Sequence, residues 1–419
     1  MDKFRIVGGS KICGEITVDT AKNSLLPILA GSILTNEQIQ IKNVTYYSDI
    51  NSMIEILNHL GVVVKKMNNS IIIDASNINC FDIPQALTSK LRASIFFVGP
   101  LLTKLKRARV SYPGGCCIGA RPIDIHLNCL IGLGAEVVEK HGYIDICADK
   151  MKSGIVHLSF PSVGATENLI MASVKLRGIT TLIGVAKEPE IVDLCDFLNQ
   201  MGARIKGHGT DVIEIEGVEN LYGTTYKPIS DRIVAGTYLM LPLICGGELV
   251  INNANYSHIL PFYNLVSNNA CNVKAYNDKI VVLCNRRLKS FGKIETMPYP
   301  HFPTDLQQQL CALSSVCKGT TIIVENMFEN RFNHVQELTK MGANISVKDR
   351  VCVVQGVKTL YGAEVVARDL RGGASLTLAG LCADGYTTIL GADIIDRGYF
   401  QLEDKLSKIG ANIKRIVDN

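Results

Sequence analysis

No CxxC pair occurs anywhere in this chain, although it carries 14 cysteines, and only Cys116 and Cys117 stand close together. Adjacent cysteines cannot both enter the two-plus-two knuckle of a structural zinc site, and a chain of 419 residues needs no disulfide staples. Most of the cysteines are therefore expected as small buried hydrophobes. Long apolar runs are missing too. The longest, from Leu25 to Leu34 and from Leu239 to Cys245, fall short of the roughly 20 residues that cross a bilayer, so no membrane partner is expected. The opening MDKFRIVGGSK has no apolar segment before a small-residue cleavage site, which gives a cytoplasmic location as the expectation. Charge of one sign is also scarce. Forty-three basic against 39 acidic residues leave +4 with no charged tail, which argues against a nucleic-acid partner. What remains is a globular composition, 47% hydrophobic and 20% charged, in a chain long enough for more than one domain.

The informative feature that is present is an internal period. Helical stretches stop at a glycine and re-enter a strand in HLGVVVKK, GLGAEVVEK, QMGARIKG, KMGANISVK and KIGANIKRI. The marker glycines, Gly61, Gly134, Gly202, Gly342 and Gly410, are separated by 73, 68, 140 and 68 residues. The long gap is two periods, with Ala270 in the glycine place and Asn269 beside it as the candidate left-handed residue. Six units of about 70 residues result. A second signature recurs in GITTLIG, GGELVIN, GTTIIVE and GYTTILG, each after an apolar helical run. Each unit thus orders as β-α-β-α-β-β, with Ile205–Gly217 as the clearest hairpin, and the chain is α/β. The period is long for a solenoid and lacks a leucine ladder, so two compact groups of three units are expected, crossing near residue 20 and near Tyr226–Arg232.

Four polar segments interrupt this scaffold. Lys22 and Asn23 stand at the start of an apolar helix, where unpaired N–H groups favour an anion. Ser111–Asp124 holds three glycines, two prolines and two cysteines and reads as a loop. There Arg121 offers a bidentate cation, and either Cys116 or Cys117 could be a reactive thiol. Thr304 and Gln307 have capping-box spacing, which places Asp305 in a first helical turn. Arg331, Arg368, Arg371 and Arg397 lie beside glycines or acids. They suggest a site for a strongly anionic small molecule, or else surface ion pairs.

AKNSLLPIL, KLRAS, PGGCCIGARPIDIH, PSVGATEN, EPEIVD, FPTDLQ, FENRF, DLRGGASL and IIDRGY follow one another along the chain. In these segments the sequence resembles the enolpyruvyl transferase family, in particular its members acting on UDP-N-acetylglucosamine. The resemblance implies two inside-out α/β barrel domains, each of three βαβαββ units with helices inside and sheets outside. One domain would be 21–229, with the cysteine loop at 111–121; the other would be 1–20 plus 230–419, with the active site in the interdomain cleft. It implies transfer of the enolpyruvyl group of phosphoenolpyruvate to the 3′-hydroxyl of UDP-N-acetylglucosamine with release of phosphate, the first committed step of bacterial peptidoglycan synthesis. No metal and no cofactor is implied. By the same resemblance Cys116 is the general acid and the target of fosfomycin, and Asp305 is the base or the final proton acceptor at the sugar hydroxyl. Lys22, Arg121 and Arg397 hold the anionic groups of phosphoenolpyruvate, and Asn23 steadies the intermediate. Arg92, the Arg121, Pro122, Ile123, Asp124 and Ile125 segment, Ser162, Val163, Gly164 and Met327 line the nucleotide-sugar site, with Arg331 and Arg371 in the substrate-binding set. The sequence departs from the family pattern at Phe160-Pro161, where some members carry a lysine, and at Cys117 and His301. Two alternatives are a transferase resembling 5-enolpyruvylshikimate-3-phosphate synthase, which lacks the PGGC cysteine, and a non-catalytic nucleotide-sugar-binding paralogue.

Overall fold

The computed structural model describes residues 2–112, 123–269 and 271–417. They divide into two compact units, one running from Thr20 to Ile229, the other combining the residues before Thr20 with those from Ser230 onward. Each unit contains three four-stranded sheets built to one plan. In one of them, Asp82–Ile83 lies parallel to Arg107–Ser111, which pairs antiparallel with Tyr143–Cys147, whose outer neighbour is Glu136–Lys140. Helical segments join the first two strands, and the helix Asp124–Gly132 precedes the hairpin, which gives the order β-α-β-α-β-β. The Ile205–Gly217 hairpin forms as its alternation predicts, with Arg204 opposite Glu216 and left-handed Gly207 and Gly209 in the turn.

The chain ends are woven into this plan. Lys3–Val7 fits between Tyr386–Leu390 and Asn412–Ile416, and Ile12–Thr17 lies parallel to Gly247–Asn252. Thr224–Tyr226 returns to pair with Ile39–Lys42. The five marker glycines all have φ between 88° and 100°, the left-handed conformation in which a Cβ is strained. Asn269 is not among the described residues with positive φ, which corrects that expectation; its side chain clasps Lys289 through two hydrogen bonds. Ala270 lies outside the described residues.

In both units the helices opening the apolar runs are buried nearly all round, while strands bury one face. Nine of the ten residues of Lys22–Gly31 and all eight of Gln307–Ser314 are buried, whereas Val212–Glu216 alternates buried and solvent-facing residues. A helix enclosed on every side has no polar face to show. Close approach depends on missing side chains: a Cβ at Gly99 would sit 2.4 Å from the Asn168 carbonyl oxygen of the neighbouring helix. Of the 12 described cysteines, six are buried as expected, but Cys13 is exposed and five are half-buried.

Candidate functional site

The six buried helices begin one period apart, and their first turns carry most of the residues singled out in the sequence. Lys22 opens Lys22–Gly31, and Arg92 opens the 3-10 turn Arg92–Phe97. Ser162 caps Val163–Ser173, and Asp231 caps Arg232–Cys245. Asp305 lies in the 3-10 turn Thr304–Leu306, and Arg371 in the first turn of Leu370–Cys382. Helix starts expose unpaired N–H groups, so a repeat that aligns six of them makes one favoured place for polar ligands in each set of three.

In the Thr20–Ile229 unit, Lys22 is 8% exposed and its ammonium lies 3.1 Å from the Asp49 carboxylate. Its helix has no side-chain cap, so the lysine adds its charge to the positive end of the helix dipole. Asn23 follows it, half-buried. Arg92 stands near the buried His126, whose imidazole is pushed down to about 4 by burial and then by that guanidinium. Asn168 reaches His126 Nδ1 at 3.0 Å, and Gly164 lets the ring approach, since a Cβ there would lie 3.2 Å from it. Of the expected binding residues, Arg92 and Gly164 thereby stand beside one histidine that the sequence did not single out. Ile125 borders a cavity of about 280 Å³ lined by Asn128, Cys129 and His157, which contains none of the other expected residues. Deeper in, Glu167 is 1% exposed, and burial, then Glu190 and Glu188, raise its carboxyl far above the ordinary range.

In the other unit, Asp305 is gripped by two arginines that are each 4% exposed. Arg331 Nη2 donates to Asp305 Oδ1, while Arg371 donates to Oδ2 from Nη2 at 3.1 Å and from Nε at 3.3 Å. Burial works against the Arg371 charge, but Asp305 and then Tyr399 raise it further. Tyr399 in turn receives Gln309 Nε2 at 3.1 Å and meets the Thr237 hydroxyl at 2.8 Å. These arginines are not surface ion pairs; Arg368, which pairs with Glu337 at 3.8 Å, is nearer that description. Arg397 is exposed, in the turn following the short helix Ala392–Ile395.

The expected capping box is not formed. Thr304 gives its hydroxyl to Glu325 Oε2 at 2.9 Å instead, because that fully buried carboxylate needs donors more than the short helix start does. Glu325 Oε1 accepts from Thr296 and from the Met327 and Phe328 N–H groups. One buried acid therefore fixes both the Asp305 turn and the half-buried Met327. Its sequence signal, an acid ending the apolar strand Thr320–Glu325, is too common to have been selected. Asp49, Tyr399 and Asp231 were missed for a similar reason: single polar residues have no spacing to mark them. Asp231 accepts from the Ile233 and Val234 N–H groups and is one of the charges acting on Arg371.

Cys116, Cys117, Arg121 and Pro122 lie outside the described residues. Phe160 is 43% exposed, and His301 is exposed as well. Among the described residues no group of three His, Cys, Asp or Glu is placed to hold a metal ion, and no helix is long and apolar enough to cross a membrane.

Comparison with known proteins gives this arrangement a class. Residues 6–406 match the family model described as EPSP synthase (3-phosphoshikimate 1-carboxyvinyltransferase). The solved enolpyruvyl transferase NikO from Streptomyces tendae superposes with a TM-score of 0.89 at 23% identity, covering 100% of this chain and 99% of that one. EPSP synthase from Acinetobacter baumannii gives 0.77 at 16%, with both chains fully covered. At those identities the likeness is one of fold, that of two pseudo-symmetric α/β domains built from repeated strand–helix units. The sequence likeness is narrower. The chain is 47% identical over 417 residues to UDP-N-acetylglucosamine 1-carboxyvinyltransferase 2 of Caldanaerobacter subterraneus subsp. tengcongensis, with 100% of each chain covered. The protein of the same description from Carboxydothermus hydrogenoformans is 44% identical over 420 residues, again with 100% of each covered. The chain belongs to the UDP-N-acetylglucosamine 1-carboxyvinyltransferases of the enolpyruvyl transferase family.

Proposed function

We infer that this protein transfers the enolpyruvyl group of phosphoenolpyruvate to the 3′-hydroxyl of UDP-N-acetylglucosamine and releases phosphate, the first committed step of bacterial peptidoglycan synthesis. The observation that carries this is the end-to-end 47% identity to an enzyme named for that chemistry. In this reading Cys116 protonates the methylene of phosphoenolpyruvate, and Lys22, Arg121 and Arg397 neutralise its phosphate and carboxylate as charge develops. Asp305 orients the sugar hydroxyl and takes its proton. Support for Lys22 comes from its place at an uncapped helix start, where the dipole adds to its own charge. Support for Asp305 comes from the two arginines that fix its carboxylate while its side chain remains 28% exposed. Asn23, Arg92, the Arg121–Ile125 segment, Ser162, Val163, Gly164, Met327, Arg331 and Arg371 bind or orient the substrates.

Fosfomycin, whose phosphonate mimics the phosphate, alkylates Cys116 in this scheme. A phosphate-release assay with phosphoenolpyruvate tests the reaction. Release with UDP-N-acetylglucosamine and none with shikimate 3-phosphate is expected. The reverse preference would make it an EPSP synthase, and no release with either would make it a binding paralogue. Peptide mapping after fosfomycin treatment tests the cysteine. An adduct on Cys117 with Cys116 unmodified would sink that assignment. Cys116→Asp should retain activity and resist the drug.

A further inference from the structure

The strands Asn272–Ala275 and Lys279–Cys284 form an antiparallel hairpin with Asn272 opposite Leu283 and Ala275 opposite Ile280. At its turn the Tyr276 N–H donates to the Lys279 carbonyl, so that pair is a hydrogen-bonded one. Pair types alternate outward from the turn. Asn272–Leu283 is then hydrogen-bonded, and Cys271 opposite Cys284 falls at a non-hydrogen-bonded position, where facing Cα atoms lie about 4.5 Å apart. Cys284 shares the buried face of its strand with Ile280 and Val282, and Val273 and Ala275 line the matching face of the partner strand. The two thiols point to the same side and lie close enough to shift each other's ionisation, and the Cys284 thiol also donates to the Arg286 carbonyl at 3.4 Å.

We propose that Cys271 and Cys284 are a site of reversible oxidation, closing into a cross-strand disulfide on exposure to a peroxide. Cys284 is 2% exposed and Cys271 is half-buried, so the pair is reachable from one side. The neighbouring Cys271 thiol holds the Cys284 thiol below the ordinary range against the pull of burial, with the charge of Arg286 helping, although the Arg286 carbonyl accepts the Cys284 proton at 3.4 Å while the thiol is intact. That favours the thiolate, the form that attacks. In the first step a sulfur–oxygen bond forms, the peroxide O–O bond breaks and hydroxide leaves, giving a sulfenic acid. The second sulfur then displaces that oxygen as water, and the hydroxide takes the proton the thiolate had released. Two thiols lose two electrons, and one hydrogen peroxide becomes two waters.

Other close thiols lack this combination. Cys311 and Cys352 are hydrogen-bonded to each other but both fully buried. Cys317 is 1% exposed and lies outside the hairpin, so no strand register sets it opposite another thiol. At a non-hydrogen-bonded position cross-strand Cβ atoms sit at the near end of their range, about 4.5 Å apart, which a disulfide can span. Asn272–Ala275 is the edge strand of its sheet, and the disulfide would pin that edge against fraying.

The test is to treat the full chain with hydrogen peroxide, block the remaining thiols with N-ethylmaleimide and map peptides without reductant. The expected product is a linked peptide pair holding Cys271 and Cys284, two hydrogens lighter than the reduced pair and reopened by dithiothreitol. The oxidised protein should melt about 5 °C higher, and Cys271→Ser or Cys284→Ser should abolish both changes. Three outcomes overturn the proposal: both cysteines blocked while other thiols are oxidised, Cys271 ending as a sulfinic acid, or Cys284 linked to Cys317. Mapping of the wild-type chain decides the matter even if a serine variant fails to fold.

Discussion

The two units place their helix starts by one rule and fill them with opposite chemistry. Between Thr20 and Ile229 the three starts carry Lys22, Arg92 and the neutral cap Ser162, and the acid that answers Lys22 comes from another helix, at Asp49. In the other unit they carry Asp231, Asp305 and Arg371, and the carboxylate is the group in demand, gripped by two buried arginines. A repeat thus fixes where functional groups stand, while the residue at each place decides which charge the unit presents. Each unit also buries one histidine beside an arginine. His126 is steadied by Asn168, whereas His334, forced down to about 3 by burial and then by Arg331, is supported by a backbone hydrogen bond with Arg331.

The sharpest way to break this comparison is Asp305→Ala. Two buried arginines would lose their shared carboxylate, so a stability loss of about 3–5 kcal/mol is expected, together with a fall in kcat of about 10²–10⁴-fold. Asp305→Asn keeps an acceptor for only one of the two arginines, so it should also lose stability, though less than Ala, while kcat falls and the KM for nucleotide sugar changes little. Normal turnover with a lowered Tm would leave Asp305 a purely structural residue. In the other unit Lys22→Met removes the cation beside Asp49, with an expected loss of about 3 kcal/mol and a raised KM for phosphoenolpyruvate. A KM unchanged by that variant would remove Lys22 from the anion-binding set.

Acid titration sharpens the contrast between the histidines. Both have folded values below the ordinary 6.5, about 4 for His126 and about 3 for His334. The unfolded chain therefore takes up protons first as pH falls below 6.5, and stability declines from there until the folded values are reached. Each should cost about 2 kcal/mol by pH 5. Denaturant midpoints from pH 7.5 to 5 should show this slope, and His334→Leu should flatten it at little cost at neutral pH, since few hydrogen bonds are lost. His126→Leu should flatten it too but strand Asn168, at about 1–3 kcal/mol. Equal neutral-pH costs would erase the distinction between the two sites. The smallest effect belongs to Ser162→Ala. Its hydroxyl meets the Ala165 N–H at a long 3.4 Å, so the loss should be about 0.5–1 kcal/mol, read as a small drop in Tm.

Much of this was legible in the sequence because glycine leaves a positional signature. Gly61, Gly134, Gly202, Gly342 and Gly410 all adopt the left-handed conformation that only glycine accepts freely, so the period of about 70 residues, the hairpins and the α/β class could be counted out. The unit with Ala270 in the glycine place was the one where local inference failed, at Asn269. Lys22, Asp305 and the arginines were visible as polar residues at the edge of apolar helices. Their partners were not. Asp49 lies 27 residues from Lys22, Arg371 lies 66 from Asp305, and Gln309 lies 90 from Tyr399, and no periodic rule links such pairs.

The sequence by itself determined the repeating unit, the turns and the apolar faces, because these follow from φ preferences and hydrophobic spacing over a few neighbouring residues. Only the tertiary structure decided which charges met. A buried ion takes whatever counter-ion or donor the folded chain brings within about 3 Å. That is why Thr304 serves Glu325 rather than its own helix, and why two arginines that the sequence left between an anion site and surface ion pairs close on Asp305.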